Sequence, residues 1–295
     1  MYLNPFLKNN KFVLNSYTLL PKLKFSINKQ IDTNVHLLHL EISQPEKKNA
    51  LSIADFISLK KHIEHLRDTP TLRCGLITGN GNIFTSGIDL SSFGEILNKL
   101  KASTDPARKS AILYGSIKEL QETLFAIHKV NKPIIAAIDG PCIGAGTDLV
   151  CYADIRYCTI DSYFQVKEII LGIPADIGSM QLLPKVVNNQ SIAKELIYTG
   201  RPFSADEALR LGFVSQVFES RSQMLRKAHE TANTICALSP MAMQACKQSL
   251  NFSLDHSISD GLDHIAILNS AILQGEEFVE SLQALMNKRK PEFKD

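Results

Sequence analysis

No apolar run in this 295-residue chain approaches the roughly 20 residues that cross a bilayer, so a membrane-spanning helix is not expected. The six cysteines, Cys74, Cys142, Cys151, Cys158, Cys236 and Cys246, form no CxxC pair and follow no period. Neither a zinc site nor a disulfide framework is expected from them, and they read as buried free thiols of a reducing compartment. No excess of one charge is present either: 32 basic residues stand against 30 acidic ones, a formal net charge of +2. Nothing global therefore calls for nucleic acid or an anionic membrane. Internal repeats and low-complexity tracts are missing. One absence is local. Residues 1–31 carry Lys8, Lys11, Lys22, Lys24 and Lys29 but no acid at all. A basic, acid-free leader with scattered Leu, Phe and Ser reads as a mitochondrial transit peptide, although it also lacks Arg. The alternative is a disordered arm on a peroxisomal or cytoplasmic protein. The closing Glu292-Phe293-Lys294-Asp295 is not the Ser-Lys-Leu signal of peroxisomes.

With 44% hydrophobic and 21% charged residues, the chain has the balance of a soluble globular protein, as one large domain or a core with an appendage. Alternation from Val35 to Ile42 predicts a strand. Ser52-Ile53-Ala54-Asp55 opens a helix with a capping box, continued by the stripe Ile53, Phe56, Ile57, Ile63 and Leu66. Leu72 to Thr78 predicts a strand closed by the turn Gly79-Asn80-Gly81. A helix is predicted over 108–129, with Leu113, Ile117, Leu120, Leu124 and Ile127 on one side. Pro133 to Ile138 predicts a buried strand that turns at Asp139-Gly140-Pro141, with a helix from near Gly146 and a strand from Ile155 to Thr159. Such alternation predicts an α/β core with right-handed crossovers. Ser204-Ala205-Asp206-Glu207 caps another helix. After Val214–Phe218, residues 220–288 read as amphipathic helix broken at Ser239-Pro240. The expected organisation is an arm over 1–31, a core over 32–203 and a helical subdomain over 204–295.

Three acids stand in Gly-rich or apolar stretches: Asp148 after Gly144-Ala145-Gly146-Thr147, Glu168 before Ile169-Ile170-Leu171, and Asp176 after Ile173-Pro174-Ala175. Carboxyls walled by apolar groups have raised pKa values and can move protons near neutral pH. The Gly144 segment, between a strand and a helix, presents N–H groups at the positive end of the helix dipole, which suits an oxyanion. Phe84-Thr85-Ser86-Gly87-Ile88-Asp89-Leu90 is a second strand-to-helix junction where a small-Gly pair lets a ligand approach the backbone. Each segment has a plainer reading as well: a packing turn, a first-turn dipole partner, surface carboxylates, an ordinary loop. His62 and His65, flanking Glu64 on a charged helix face, read as solvated rather than as metal ligands.

Taken in this order and spacing, the segments resemble the crotonase (enoyl-CoA hydratase/isomerase) superfamily over roughly residues 35–290. The strings that carry the resemblance are Pro45-Glu46-Lys47-Lys48-Asn49-Ala50-Leu51, Phe84 to Leu90, Lys132 to Ala137, the Gly144 turn, and Ala205-Asp206-Glu207-Ala208 with Leu211-Gly212. Gly87-Ile88-Asp89-Leu90, Asp148 in place of a hydratase Glu, and Asp176 in place of a hydratase Gly are similar to the dienoyl-CoA isomerase branch. So are Asp154 to Cys158 and Phe164 to Glu168. The resemblance implies an α/β fold, the crotonase-like (ClpP/crotonase) spiral of ββα units with a C-terminal helical trimerisation subdomain, assembled as a hexamer of two trimers. It implies conversion of 3,5-dienoyl-CoA to 2,4-dienoyl-CoA in fatty acid β-oxidation, with coenzyme A as part of the acyl-CoA thioester substrate and neither cofactor nor metal. By position, the backbone N–H groups of Ile88 and Ala145 form the oxyanion hole. Glu168 takes a proton from carbon 2, Asp176 gives one to carbon 6, and Asp148 orients or polarises between them. Lys48, Ser86, Gly87 and Gly144 fall at substrate- and CoA-binding positions. Ala145 and Pro174 depart from the usual Gly and Ala without removing a functional group. Two alternatives stand beside this. An enoyl-CoA hydratase would leave Asp176 without a task. An RNA-binding homologue would need a basic helix, whereas here Lys60, Lys61 and Arg67 alternate with Asp55, Glu64 and Asp68.

Overall fold

The computed structural model describes residues 25–27, 36–101 and 103–295. Its frame is a sheet ordered β1 (Phe25–Ile27), β2 (Leu37–Ile42), β3 (Cys74–Gly79), β4 (Ile134–Ile138), β6 (Ile155–Thr159) and β9 (Gln216–Phe218), parallel from β2 onward with β1 antiparallel at the edge. Strands covered on both faces need apolar residues at every position, and β3 and β4 are buried throughout. Ile77, Ile134 and Ala136 point into one core, with Phe56, Leu59, Ile63 and Leu66 of α1 (Ile53–Asp68) and Leu120, Leu124 and Ile127 of α3 (Pro106–Lys129). Leu76, Ile135 and Ala137, one residue out of step, point into the other, against Met224, Ala228 and Ala232 of α8 (Arg221–Cys236). The Ser52–Asp55 capping box forms as expected.

A second, shorter ladder positions the chemistry. After β4 the chain makes β5 (Cys142–Ile143) and then α4 (Ala145–Cys151); after β6 it makes β7 (Tyr163–Gln165) and a single 3-10 turn, Glu168–Leu171. β5 pairs with β7, and β7 with β8 (Phe203–Ser204). Single bridges extend the ladder, Thr85 to Cys142 and Leu51 to Ile88. Each long strand thus feeds a short crossing segment and then a helix, which is the spiral of ββα units, and the crossing segments bring 84–88, 142–144 and 163–168 side by side. Asn49 pins the first of them. Fully buried and left-handed (φ 53°), it accepts the Gln44 N–H, donates to the carbonyls of Asn80 and Ile83, and offers its own carbonyl to the Thr85 hydroxyl.

The remaining helices are α2 (Phe93–Lys101), α5 (Ser179–Val186), α6 (Gln190–Thr199), α7 (Ala205–Arg210), α9 (Pro240–Phe252), α10 (Ile258–Ile272) and α11 (Glu276–Met286). Lys247 of α9 is buried beneath the sheet. Its ammonium donates to the carbonyls of Ile127 and Lys132 and to Asp154 Oδ2 at 2.7 Å, and the same carboxylate oxygen accepts the N–H of Ile134. All three ammonium donors are matched, which is the condition under which a buried lysine is tolerated.

The structure departs from expectation at several places. β1 lies inside the 1–31 stretch read as an arm and pairs with β2; the rest of that stretch lies outside the described residues. The sheet also runs past residue 204, since β9 pairs with β6 and α8 packs on the sheet, and α9 reaches it through Lys247, so the helices that stand off the sheet are α10 and α11. His62 is buried rather than solvated, because it falls on the arc of α1 that faces the core; burial pulls its pKa down, and neighbouring His65 adds to the shift. Leu113 is exposed, on the half of α3 that precedes its buried positions. The cysteines are free thiols, five of them buried, but Cys246 is exposed on α9.

Candidate active site

Gly87 and Gly144 are the backbone hinges of the site. Gly87 has φ +93°, and a Cβ there would lie 2.7 Å from the Ile143 carbonyl and 3.5 Å from the Ala145 nitrogen. Only a residue without a side chain permits that approach. It brings the 84–90 loop against the start of α4, so the Ile88 and Ala145 segments lie side by side. The Leu51–Ile88 bridge uses the Gly87 carbonyl and the Asp89 N–H, which leaves the Ile88 N–H turned away from Leu51. Ala145 is the first residue of α4, and its N–H has no carbonyl four residues earlier within the helix. Gly144, at φ +56°, donates to the Gln165 carbonyl, and a Cβ on it would touch Glu168 Oε1 at 3.1 Å. The base candidate therefore sits directly over the Gly144 turn.

Glu168 opens the 3-10 turn and is half-buried, with Oε2 enclosed and without a hydrogen-bond partner among the described residues. Its apolar sequence neighbours do not bury it. Ile169, Ile170 and Leu171 are all exposed, and the cover comes from the Gly144 side. Burial raises its pKa, with a further push from Asp176. Asp176 is half-buried, and burial raises its pKa too. Asp148 is fully buried in α4. Its Oδ1 accepts the Ser179 N–H at 2.5 Å, while Oδ2 is enclosed without a partner among the described residues. Burial first, and Glu168 second, push its pKa from 3.8 to about 7. The three acids thus share one electrostatic neighbourhood. Among the described residues no group of His, Cys, Asp and Glu is arranged to hold a metal ion.

Ser86 donates its N–H to the Lys48 carbonyl at 3.0 Å, which ties the 45–48 turn to the Gly87 loop. Lys48 is left-handed and its side chain is exposed. The sequence did not single out what holds the Asp176 turn. Gln121 Nε2 donates to the Asp176 carbonyl at 2.6 Å, and the Tyr152 hydroxyl to the Ile177 carbonyl at 3.0 Å. These side chains line a cleft of about 320 Å³ with Phe125, Gly178 and Gln181. The only sequence signal was indirect: a Gln on the core-facing half of a long helix, and a Tyr just past the end of α4.

The Asp148 shift has a signed consequence. Its pKa is higher folded than unfolded, so the native state holds the extra proton and stability falls as pH rises from about 4 to 7. Asp148→Asn keeps the acceptor for Ser179 and removes the titration. Its stability advantage over the wild type should grow across that window by on the order of 4 kcal/mol. Urea midpoints of both proteins at pH 5 and pH 8 should show about 3 kcal/mol of that growth, the rest falling below pH 5; a gap that does not change with pH would contradict the shift.

Comparison with known proteins places this geometry in company. The pattern of the family described as Enoyl-CoA hydratase/isomerase matches residues 32–295. The chain is 42% identical over 254 residues to the mouse protein named Delta(3,5)-Delta(2,4)-dienoyl-CoA isomerase, mitochondrial, covering 86% of this chain and 77% of that one. It is 41% identical over 267 residues to the Arabidopsis thaliana protein of the same name marked peroxisomal, covering 90% and 95%. Among solved structures, an enoyl-CoA hydratase from Bacillus anthracis superposes with a TM-score of 0.81 at 26% identity, covering 92% of this chain and 99% of that one.

Proposed function

This chain belongs to the enoyl-CoA hydratase/isomerase family, and we propose that it converts 3,5-dienoyl-CoA to 2,4-dienoyl-CoA. The observation that carries the proposal is a second half-buried carboxyl of raised pKa, Asp176, electrostatically coupled to Glu168. Adding water across one double bond works at adjacent carbons and leaves Asp176 idle. Moving two double bonds by one position takes a proton from carbon 2 and returns one at carbon 6, which calls for two separated carboxyls. In this reading the N–H groups of Ile88 and Ala145 hold the thioester oxygen as charge builds on it. Ionised Glu168, its basicity raised by burial, removes the carbon-2 proton. Asp176, whose pKa burial raises, delivers a proton to carbon 6. Asp148 steadies the pair, and Lys48, exposed beside the Gly87 loop, is the candidate contact for the CoA phosphates.

Synthetic 3,5-dienoyl-CoA should be turned over with the rise in ultraviolet absorbance of the conjugated 2,4-product. Asp176→Asn and Glu168→Gln should each lower that rate more than about tenfold, a loss above roughly 1.4 kcal/mol. Glu168→Gln should also stop exchange of the carbon-2 proton with deuterated solvent. An Asp176→Asn variant that keeps near-normal turnover would remove the basis for choosing isomerase over hydratase.

The remote helices support assembly as a homo-oligomer, a hexamer in this reading. Among the described residues α10 buries none of its own, and Ile258, Leu262 and Ile267 of α10 with Leu285 and Met286 of α11 are each more than 60% exposed. Apolar area of that kind marks an interface. Light scattering at micromolar concentration should give a multiple of 32.8 kDa; a monomer mass would overturn the reading.

The acid-free leader, with five lysines, favours mitochondria over the peroxisome for this chain. A fluorescent fusion of the full chain should enter mitochondria, and one lacking residues 1–22, which spares β1, should stay outside. Import of the shortened fusion would refute the assignment.

A further inference from the structure

An acid that must protonate carbon 6 has to be aimed. A dienolate carries its charge at carbons 2, 4 and 6, and protonation at each gives a different product. At carbon 2 it returns the substrate, at carbon 4 it gives the 2,5-diene, and at carbon 6 it gives the 2,4-diene. The Asp176 carboxyl takes no hydrogen bond from another side chain among the described residues; only its own backbone N–H contributes. Its direction is therefore set by the backbone that carries it.

That backbone is held from three elements at nearly successive residues. The Asp176 carbonyl is taken by Gln121 of α3, the Ile177 carbonyl by Tyr152 beyond α4, and the Ser179 N–H by Asp148 of α4. The last two contacts hold the downstream side of the turn. The Gln121 bond is the one made at the acid residue itself, across 55 positions of sequence. Gln121 is held in turn, because Lys118 Nζ donates to its Oε1 at 2.9 Å. The pair of contacts settles which way the amide faces: only its nitrogen can donate to a carbonyl, and only its oxygen can accept from an ammonium. Nothing in the core requires a polar side chain at this half-buried position of α3, where the cleft beside Asp176 lies open.

We propose that Gln121, oriented by Lys118, is a positioning residue that aims Asp176 at carbon 6 and so decides which carbon of the dienolate is protonated. This rests on the dienoyl isomerisation proposed above and adds to it the control of regiochemistry. The dienolate still forms without Gln121, since Glu168 and the oxyanion donors are untouched. What suffers is the capture of the dienolate at the far end.

The test is turnover of 3,5-dienoyl-CoA in deuterated solvent, reading the ratio of deuterium gained by recovered substrate at carbon 2 to 2,4-product formed. Gln121→Met matches the length and removes the donor. It should raise that ratio about tenfold, since small misplacements of a reacting group cost that much or more. KM should stay near the wild-type value, and 2,5-diene should appear in the products. Gln121→Glu, which sets an acceptor against the carbonyl, should behave the same way. Lys118→Met, which only frees the amide to turn, should raise the ratio less. Thermal melting of each variant accompanies the assay. If Gln121→Met keeps the wild-type ratio, or if exchange and product formation fall together, the residue is structural only and the inference is overturned. If the wild type forms no 2,4-product, the proposed function fails and this inference with it.

Discussion

The approach of one backbone to another at Gly87 is the constraint on which the site depends. The loop that carries Ile88 runs so close to the β5–α4 turn that a methyl group at Gly87 would lie 2.7 Å from the Ile143 carbonyl. Two peptide N–H groups from segments more than fifty residues apart can serve one oxygen only if no side chain keeps the backbones apart. The ladder of short crossing strands enforces this approach. Thr85 bridges Cys142, Cys142 pairs with Phe164, and Phe164 with Phe203. Each rung belongs to a different turn of the spiral, so the long parallel sheet provides regular spacing and the crossing ladder converts it into convergence.

Convergence carries an electrostatic cost. Three carboxyls are drawn into one electrostatic neighbourhood, and burial raises the pKa of each, most clearly that of Asp148. A fold selected for stability alone would avoid this, because enclosed oxygens without partners, such as Asp148 Oδ2 and Glu168 Oε2, are unfavourable. The same features suit proton transfer near neutral pH, where a donor must still hold its proton and an acceptor must want one. The acids differ in how they are fixed. Asp148 is locked by a backbone N–H, Glu168 rests on a glycine turn, and Asp176 rides on a loop tethered from α3.

Much of this was legible beforehand, for physical reasons specific to each segment. β3 and β4 announce themselves as continuous apolar runs because both faces are covered. The Ser52 cap is written in four residues, and the three acids stand out against Gly-rich and apolar stretches. Other features left no trace. β5, β7 and β8 are two or three residues long, too short for any period to register, although they assemble the site. The apolar residues after Glu168 pointed to burial for the wrong reason, since they face outward. His62 and its charged neighbours hid a buried position because α1 is flanked by acids and bases on both sides of its core arc. β9 lay beyond the expected boundary because a three-residue strand at the edge of a mostly helical stretch looks like a linker. Contacts such as Gln121 with Asp176 join residues that no local pattern links.

The Lys247–Asp154 contact has mechanical meaning as well. One oxygen of Asp154 both receives the ammonium of α9 and fixes the first amide of β4. β4 ends at Ile138, with three residues between it and the crossing strand that leads into the Gly144 turn. Helix and strand are therefore joined at the root of β4, through this carboxylate and through the Lys132 carbonyl that the same ammonium holds. A force on the helical tail, whether from a neighbouring molecule or from thermal bending, pulls on the strand at its root and reaches the turn at its tip. Stiffness at that root limits how far the tail can sway before the Gly144 turn shifts.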